Sequence, residues 1–472
     1  MTLRGELVIG AFVVAALTAC KPPDGGGGDG GAGGDSPVAM RVASLGKVDY
    51  TTDWPLVLGP GGQVAFVPKD LGNGRLWQDG HRVDVSADIG ATKISVVAWI
   101  APDGRRGGFG MFPLGASTWV RDARGVKAWF PPPPQGRMWP FGWSSDDRLV
   151  AQVRQGGITG TGQLSIVVWG YDAYGAFTSL PESTRVYQEY QTTHVQSSNS
   201  HFDYVLVDSD MTSTRLVNKV VFAESWLGGT PPPASQIEVP FAVLEDRSVV
   251  GETTNVGIQR QRGAEVELLV AAPAGLRAVS PRGDVVWSDP LMQLHLRRAD
   301  GSRASLPVGA GAAMFVDDDG RVLLLGYEQT LWLYTPTSLP NPLGETRLTF
   351  SAVQGTGLVT EPLDPTSLTG FFVNSQLSVA VTDARQAPVR ELRMQGALPK
   401  APAVGDTYSA GGPLVVAYGD GTHTLLASAG SLQVTAVGPH TLSLTATGLT
   451  FSDGTVGFTL DGPIEIRSFN DT

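Results

Sequence analysis

Short runs of apolar residues alternate with small polar turns along almost the whole chain after residue 39. Most runs have four to eight residues, are rich in Val, Leu, Tyr and Trp, and end at Gly, Pro, Asp or Ser. No window keeps apolar residues at helical spacing for more than two turns. The pattern predicts an all-β fold, with strands that include QVAFV, ISVVAWI, RLVAQV, LSIVVWGY, VELLVAA, RVLLLGY, TLWLYT and PLVVAY.

A turn signal recurs between these runs, and FVDDDGRVLLL (Phe315–Leu325) is its most acidic copy. Aspartates before a glycine also occur in calcium loops, which need oxygen ligands at positions 1, 3, 5 and 12 around a glycine at position 6. With Gly320 at position 6, Phe315 falls at position 1 and Gly326 at position 12, so two ligands are missing. We therefore predict a β-hairpin turn in which Gly320 supplies a positive φ.

Equivalent turns recur at a near-constant spacing. The same signal lies in GPGGQVAFV, APDGRRGGF, SSDDRLVAQV, LEDRSVVGE, SPRGDVVWS, YGDGTHTLLAS and FSDGTVGFT. Gly61 and Gly104 are 43 residues apart, and Gly283 and Gly320 are 37 residues apart. A unit of roughly 40 residues built from short strands is typical of propeller blades. The chain is long enough for roughly seven or eight blades, and we expect the last strand, in IEIRSF (Ile464–Phe469), to close the ring.

The C-terminal part of the chain also fits a second organisation. The run SLQVTAVGPHTLSLTATG alternates Ser and Thr with apolar residues, as strands of a β-sandwich do. The sequence therefore leaves two possibilities for the body of the protein. One is a β-propeller over residues 39–472, and the other is a propeller followed by a separate β-sandwich from about Phe350.

The first 20 residues predict export and a lipid anchor. Arg4 precedes the 13-residue apolar run LVIGAFVVAALTA, which is too short to span a bilayer and suits a signal peptide over residues 1–19. The run ends in LTA before Cys20, which resembles the lipobox of bacterial lipoproteins. This resemblance implies cleavage before Cys20 and its acylation. Since Lys21 is not an aspartate, the outer membrane is the expected location within the cell envelope.

The residues that follow the lipobox predict a tether. Cys20 is the single cysteine of the chain, so no internal disulfide can form. KPPDGGGGDGGAGGDSP, residues 21–37, has almost no apolar side chain to bury and should be disordered. Residues 20–38 would then link a lipid-anchored cysteine to the folded body. The alternative is a plain secretory signal, or an N-terminal membrane anchor, with an accidental cysteine.

Three segments resemble blades of the TolB-like, WD40-like bacterial propellers, and the third of them is Met314–Thr335. The first is GWSSDDRLVAQV (Gly142–Val153) with GQLSIVVWGYDAYGAFTSLP (Gly162–Pro181), and the second is Ala278–Pro307, which has Val279 where that family has tryptophan. In the first segment, the matching residues are Trp143, Ser144, Asp146, Leu149, Ala151, Asp172 and Leu180. The resemblance implies a propeller architecture and no particular activity.

Sequence signatures of an active site are missing. The chain has no G-x-S-x-G, H-E-x-x-H or G-x-x-x-x-G-K-[ST] motif, and a single cysteine limits any zinc site. The carboxylate pairs Asp146-Asp147 and Glu245-Asp246 both lie in repeat turns. We therefore predict no catalytic residue, no metal and no cofactor. A net charge of -11 argues against nucleic acid as a partner.

AWFPPPPQGRMWPFGWSS (Ala128–Ser145) concentrates aromatic residues around four prolines. The run Pro131–Pro134 predicts polyproline II. Aromatic rings held beside it could stack on sugars or hold a peptide. The candidate ligand-binding residues are Trp129, Phe130, Trp139 and Phe141. The alternative is that these rings pack between blades, which is what we expect of Trp143.

Taken together, these features predict an envelope-anchored lipoprotein. It would be held in the membrane through lipid on Cys20, and its propeller would act as a binding or scaffold module for a protein or glycan of the cell envelope. The alternative is a cell-envelope enzyme that acts on glycan or peptide, with its site at the propeller axis. The missing signatures favour the binding module over the enzyme.

Overall fold

A computed structural model describes most of the chain from residue 38 onward. The described residues are 38–48, 56–67, 74–78, 80–100, 104–112, 115–121, 127–130, 137–143, 148–155, 161–170, 177–179, 185–188, 194–199, 203–209, 216–222, 235–306, 312–326, 329–344, 346–385, 389–438, 440–467 and 469–470. Cys20, the tether and Pro131–Pro134 lie outside them, so the structure leaves those predictions as they stand.

The alternating apolar runs form short antiparallel strands, because alternation places one face of a strand in a core and the other toward solvent. The strands of the first part of the chain are β1 (Met40–Lys47), β2 (Val57–Leu58), β3 (Val64–Phe66), β4 (Arg75–Gln78), β5 (His81–Asp84), β6 (Lys93–Ile100), β7 (Arg106–Phe112), β8 (Gly115–Arg121), β9 (Lys127–Phe130), β10 (Arg137–Trp143), β11 (Arg148–Gln155), β12 (Thr161–Gly170), β13 (Phe177–Ser179) and β14 (Arg185–Gln188).

The middle of the chain continues in the same way. Its strands are β15 (His194–Ser198), β16 (Tyr204–Ser209), β17 (Leu216–Val221), β18 (Val239–Val243), β19 (Val249–Thr253), β20 (Gly257–Arg262), β21 (Glu265–Ala271), β22 (Gly275–Val279), β23 (Val285–Ser288), β24 (Leu294–Arg297), β25 (Arg303–Ser305), β26 (Ala312–Val316), β27 (Val322–Leu325) and β28 (Thr330–Pro336).

Within the described ranges, these strands make seven separate antiparallel sheets. Six follow the chain in order: β2-β3-β4-β5, β6-β7-β8-β9, β10-β11-β12-β13 with β14 also on β12, β15-β16-β17, β18-β19-β20-β21 and β22-β23-β24-β25. The seventh is β1-β28-β27-β26. A succession of small sequential sheets of this kind is the architecture of a propeller. The fold is therefore an all-β propeller, as the sequence predicts.

The propeller is closed by its first strand, and the prediction that IEIRSF closes it is wrong. Strand β1 pairs with β28 from Met40 opposite Pro336 to Lys47 opposite Thr330, and so completes the sheet of β26, β27 and β28. The isoleucines of IEIRSF are fully buried in another sheet instead. Closure by β1 joins the two ends of the propeller segment and covers a strand edge that would otherwise be exposed.

The described residues from 349 onward form one nine-stranded sheet that shares no strand with the other seven. Its order is β29-β37-β36-β35-β34-β32-β31-β30, with β33 also on β35. The strands are β29 (Thr349–Gln354), β30 (Ser367–Val373), β31 (Gln376–Asp383), β32 (Arg390–Ala397), β33 (Thr407–Ser409), β34 (Leu414–Gly419), β35 (Thr424–Val437), β36 (Leu442–Ser452) and β37 (Gly457–Ile466).

The long strand β35 joins two halves of this sheet. Its first residues pair with β34 and its later residues with β33, while three irregularities in its pairing with β36 bend it. Gly430 lies at one of these bends with a φ of 98°, and a Cβ there would collide with the backbone of Gly448. The bend lets the inner faces of the two halves meet over a shared apolar core.

Two hydrophobic cores matter for the site described below. One continuous cluster joins the nine-stranded sheet to the sheets that contain β28 and β3; among its buried members are Val64, Trp77, Leu323, Leu333, Leu392 and Phe451. A second cluster lies between the sheets β18–β21 and β22–β25 and includes Leu244, Ile258, Val285 and Trp287. Fully burying each such side chain contributes about 1.5–3 kcal/mol, so the second cluster fixes these two sheets against each other.

The FVDDDG segment is a hairpin turn, as predicted. It joins β26 to β27: Gly320 N–H donates to the Asp317 carbonyl at 3.0 Å, and Gly320 has a φ of 78°. The Asp317 carboxylate accepts the backbone N–H groups of Asp319 and Arg321 at 3.0 and 2.8 Å. Asp317 Oδ2 also lies 3.0 Å from Arg321 Nη1. Its oxygens therefore hold the turn and bind the neighbouring arginine.

Helices are rare among the described residues. One α-helix, α1 (Val85–Ile89), begins at Asp84, whose side chain accepts the Ser86 N–H, and one 3-10 turn covers Pro60–Gly62. Neither is long and apolar enough to cross a membrane.

Candidate functional site

A cleft opens between the sheets β18–β21 and β22–β25. In each sheet the loop between the first and second strands lies at one end, which we call the first-turn end, and the loop between the second and third lies at the other, the second-turn end. The connection from β21 to β22 also returns at the second-turn end. These loops enclose a cleft of about 360 Å³, lined by Val239, Glu252, Thr253, Thr254, Asn255, Gly257, Ala272, Pro273, Ala274, Gly275, Ser288, Asp289 and Pro290.

Two turns with left-handed residues frame the cleft. Asn255, between β19 and β20, has a φ of 62°, and Met292, between β23 and β24, has a φ of 63°. The second turn is organised by Asp289, whose Oδ1 accepts the N–H groups of Leu291 and Gln293, each at 2.9 Å. The first turn is held by Glu238, whose Oε2 accepts the Thr254 N–H at 2.9 Å. The second turn is thus fixed by a side chain of its own, and the first by a side chain from outside it.

Apolar side chains project from these turns into solvent. Leu291 and Met292 are neighbours in the chain, and they are 86% and 56% exposed. Val256, in the other turn, is 42% exposed. Turn positions usually carry polar residues or glycine, and adjoining exposed apolar groups beside a cleft are typical of an interaction site.

Among the described residues that line the cleft, the charged groups are two carboxylates, those of Glu252 and Asp289. Glu252 Oε1 accepts the backbone N–H of Leu276. Burial works against the charge of Asp289, but hydrogen bonds from Gln293 N–H and the His295 ring more than offset it and hold the pKa of this carboxyl below its ordinary value. Asp289 is therefore ionised at neutral pH.

One guanidinium lies beside the cleft, that of Arg277. Its Nε donates to Ser288 Oγ at 3.0 Å, and its Nη2 lies 4.0 Å from the sulfur of Met292. Among the described residues at this end, the carboxylates of Glu238, Glu252 and Asp289 outnumber it. The cleft therefore presents negative charge next to an apolar rim.

A chain of polar contacts leads outward from Asp289. Its Oδ2 lies 3.3 Å from His295 Nε2, and His295 Nδ1 lies 3.3 Å from the hydroxyl of Ser305. The His295 ring stacks on Trp287 with 5.1 Å between the ring centroids. With Nε2–H donating to the ionised Asp289, Nδ1 is the acceptor for the Ser305 hydroxyl. A serine nucleophile and its base use the same groups. Here, however, both contacts are long, and His295 and Ser305 lie on β24 and β25, toward the edge of their sheet.

The first-turn end of the same sheets is built differently. Asp203, which is fully buried, receives Arg247 Nε at 2.8 Å and Arg247 Nη2 at 3.0 Å. The N–H of Arg282 donates to Asp318 Oδ1 at 2.8 Å. Each of these contacts joins turns of neighbouring sheets, so this end is a series of links between sheets. Among the described residues, no group of three or more His, Cys, Asp and Glu side chains is placed to hold a metal.

A second cavity, of about 260 Å³, lies where the propeller meets the nine-stranded sheet. Its charged lining groups are the guanidiniums of Arg321 and Arg467. Arg321 binds Asp317 and Asp319, and Arg467 binds Glu465 at 2.9 Å. Since carboxylates of the chain itself already neutralise both guanidiniums, this cavity has little attraction left for an anion.

No protein-family model and no curated protein matches the chain. Solved structures that match include YCF48 bound to D1 peptide, at 12% identity over 62% of this chain and 100% of that one, with a TM-score of 0.31. Another is the WD40 domain of SCAP from fission yeast, at 10% identity over 91% of this chain and 88% of that one, with a TM-score of 0.22. At these scores the matches carry no argument about function, and the fold rests on the strand pairing.

The aromatic residues singled out from the sequence lie in strands. Trp129 and Phe130 end β9, and Trp139, Phe141 and Trp143 belong to β10. Trp129 is paired with Trp119. The side chains of the five aromatic residues lie outside the part that the structure describes, so their role in binding stays a prediction.

Sequence reasoning missed the cleft, although one signal for it was present. The segment WSDPLMQLH has turn residues, Asp289 and Pro290, followed by Leu291 and Met292 before the next strand begins. Two large apolar residues in the middle of a tight turn conflict with ordinary turn chemistry. The neighbouring acidic groups come from another sheet, and only the fold brings them together.

Proposed function

We propose that this chain is a lipid-anchored cell-envelope protein whose propeller is a binding module for a protein partner. The observation that carries the proposal is the exposed pair Leu291 and Met292 beside the cleft between the sheets β18–β21 and β22–β25. Sugars are commonly recognised by stacking on aromatic rings, and the described residues that line the cleft include no aromatic side chain. Aliphatic and thioether groups suit a polypeptide partner better.

The anchor is the lipid expected on Cys20, with the glycine-rich residues 21–37 as a tether. Long acyl chains contribute about 0.8 kcal/mol per buried methylene, so two or more hold a protein stably in a membrane. Replacing Cys20 with serine should release the folded protein into the soluble fraction. If Cys20→Ser remains with membranes after a carbonate wash, the lipoprotein part of the proposal is wrong.

The binding role is tested by capture of partners from envelope extracts. Tagged wild-type protein is compared with the double variant Leu291→Ser/Met292→Ser and with the control Leu426→Ser, which changes a 60% exposed leucine on the nine-stranded sheet. We expect a protein retained by wild type and by the control but lost in the double variant. Partners that all three forms retain equally would contradict a role for the cleft. A parallel pair, Trp129→Ala and Trp139→Ala, tests the aromatic residues predicted from sequence.

An enzymatic function is the alternative, and the contact chain Asp289–His295–Ser305 is the observation that favours it. A serine activated in this way would react with a fluorophosphonate probe, and Ser305→Ala would abolish the labelling. We expect no labelling of the wild-type protein, because both contacts are 3.3 Å long. Labelling that depends on Ser305 would favour a serine hydrolase over a binding module as the function of this protein.

A further inference from the structure

Met292 occupies a backbone position that favours glycine. Its φ is 63°, a left-handed conformation that is disfavoured for residues with a Cβ atom. Of the equivalent left-handed turn positions at the first-turn ends of three sheets, two are glycines, Gly283 and Gly320, and the third is Arg247, whose side chain binds the buried Asp203. Met292 gains little from burial in exchange, since 56% of it is exposed. Strain of this kind, kept where glycine would relieve it, is typical of functional positions.

The exposed surface around Met292 is apolar and adaptable. Leu291 stands next to it, and Val256 projects from the facing turn. A methionine side chain is flexible and its sulfur is polarisable, which suits a surface that must fit the side chains of a partner. The strained backbone, the two exposed apolar residues and the cleft therefore lie together at one end of two neighbouring sheets.

The charge of the cleft limits what enters it. Glu252 and Asp289 line it, and Glu238 supports its rim. Arg277 is the basic group next to the cleft, where it already contacts Ser288 and Met292. His295 contacts Asp289 from the outer side. An anionic segment would meet net repulsion, whereas a lysine or arginine side chain would meet complementary charge.

We infer that the cleft receives a basic side chain of a partner polypeptide while Leu291 and Met292 contact apolar residues next to it. This inference rests on the proposed binding function and names the chemistry of the partner. The cleft volume, about 360 Å³, lies at the low end of the range of about 300–1,000 Å³ for ligand sites. It suits one long side chain better than a folded surface. The partner is thus a segment in which Lys or Arg alternates with large apolar residues.

The experiment uses an array of short synthetic peptides and the full-length protein purified from membranes in detergent. Three peptide classes alternate Leu with Lys, Leu with Glu, or Ser with Lys. We expect wild type to retain the Leu–Lys class most strongly and to lose it as salt is raised, because charge attraction is screened. Glu252→Gln and Met292→Gly should each weaken retention by roughly tenfold or more, as for residues at the centre of an interface. Leu426→Ser should bind like wild type.

Met292→Gly separates a binding role from a structural one. Glycine removes the backbone strain, so this variant should unfold at a temperature equal to or above that of wild type while it binds less peptide. A variant that unfolds earlier and binds in proportion to its folded fraction would overturn the inference. So would equal retention of the Leu–Glu and Leu–Lys classes, or unchanged binding by Glu252→Gln.

Failure of this inference is distinguishable from failure of the proposed function. If envelope extracts yield a partner that depends on Leu291 and Met292, but the array prefers Leu–Glu or Ser–Lys peptides, the binding module stands and the basic–apolar partner is wrong. If neither extracts nor peptides give binding that depends on these residues, both are wrong. Retention of a partner together with preference for Leu–Lys peptides supports both.

Discussion

The two ends of the sheets β18–β21 and β22–β25 carry the same kind of tight turn and use it in opposite ways. At the first-turn end, carboxylates are buried and bound: Asp284 is 2% exposed, and Arg298 Nε lies 2.8 Å from it. At the second-turn end, carboxylates border an open cleft and Leu291 is 86% exposed. One end pairs its carboxylates with arginines of the chain itself, and the other leaves apolar and acidic groups beside an open cleft.

This difference separates residues that stabilise the fold from residues that are available to bind a partner. Links such as Asp203–Arg247 join neighbouring sheets, and breaking them should loosen the propeller. The turns around Asn255 and Met292 are fixed by their own hydrogen bonds and carry side chains that the fold does not need. Substitutions at the first end should therefore change stability, and those at the second end should change binding.

The largest effect is expected at Asp203. Its fully buried carboxylate receives two N–H groups of Arg247 and one of Asn199. Asp203→Ala removes the carboxylate from this ion pair, which costs about 3 kcal/mol for a largely buried pair. Urea unfolding followed by tryptophan fluorescence measures the loss. The control is Glu267→Ala, which removes a 58% exposed carboxylate near Arg297 and should change stability by less than about 0.5 kcal/mol. Similar small losses in both would remove the structural role of this end.

A pH-dependent effect is expected at Asp284. Burial raises its pKa to about 6, although the Ala299 N–H and the Arg298 guanidinium oppose the shift. An unfolded aspartate titrates near pH 4, so between about pH 4 and pH 6 only the folded state holds this proton. The stability it contributes is present below about pH 4 and is lost as the pH rises through about 6, by on the order of 2 kcal/mol.

The variant Asp284→Asn isolates this effect from other titrations. It keeps the shape of the side chain and carries no charge at any pH. Its stability relative to wild type should therefore rise between about pH 4 and pH 7. If urea unfolding gives the same difference at both pH values, Asp284 is ionised throughout and the buried-carboxyl account of this turn is wrong.

A smaller difference is expected between two glycines. Gly320 and Gly301 both have positive φ, 78° and 90°. A Cβ at Gly320 would lie 2.7 Å from Arg298 Nη1, whereas one at Gly301 would meet nothing within 4 Å. Both valine variants bear the backbone strain, and Gly320→Val should cost about 1 kcal/mol more because Arg298 must move. Thermal unfolding of the two variants measures this.

Thermal unfolding of the wild-type protein also tests whether the FVDDDG turn binds calcium. Asp317 already accepts two backbone N–H groups and contacts Arg321. Calcium or a chelator should therefore leave the melting temperature unchanged. A rise of several degrees with calcium that disappears in Asp317→Asn would show that the turn binds the ion.

Much of the fold could be predicted because alternation and turn chemistry are local. The hairpin at Gly320 and the all-β fold follow from them. The same chemistry also misleads, since Asp420 and Asp453 cap hairpins of the nine-stranded sheet with the signal that marks the propeller turns. A spacing of turns therefore could not tell where the propeller ends. Closure by β1 was also hidden, because pairing of Ala43 with Leu333 depends on residues far apart in the chain.

The candidate site could not be predicted in the same way. Glu252 and Asp289 lie in different sheets, and nothing in their spacing places them around one cleft. The aromatic segment was the more conspicuous pattern, because composition shows where aromatic residues cluster but not which face they occupy. The strained Met292 was visible only as an apolar residue in a turn, and its φ needed the structure.

The smallest effect on stability is expected at Leu291. This measurement tests whether the exposed side chains of the second-turn end contribute to the stability of the fold. Because this side chain is 86% exposed, Leu291→Ser removes little buried surface and should change the free energy of unfolding by less than about 0.5 kcal/mol. Leu244→Ser is the matched control at the first-turn end, where the leucine is 1% exposed and belongs to the core between the same sheets; its loss should be about 2–5 kcal/mol.

Equal losses at both leucines would mean that Leu291 packs against the fold, and the contrast between the two ends would disappear. A near-zero change in stability for Leu291→Ser, together with lost capture of a partner, would support this contrast between the two ends. Removing the exposed leucine would then leave the stability of the isolated protein unchanged but would remove most of the affinity for the partner. This is expected of a residue that is buried only when the partner is bound.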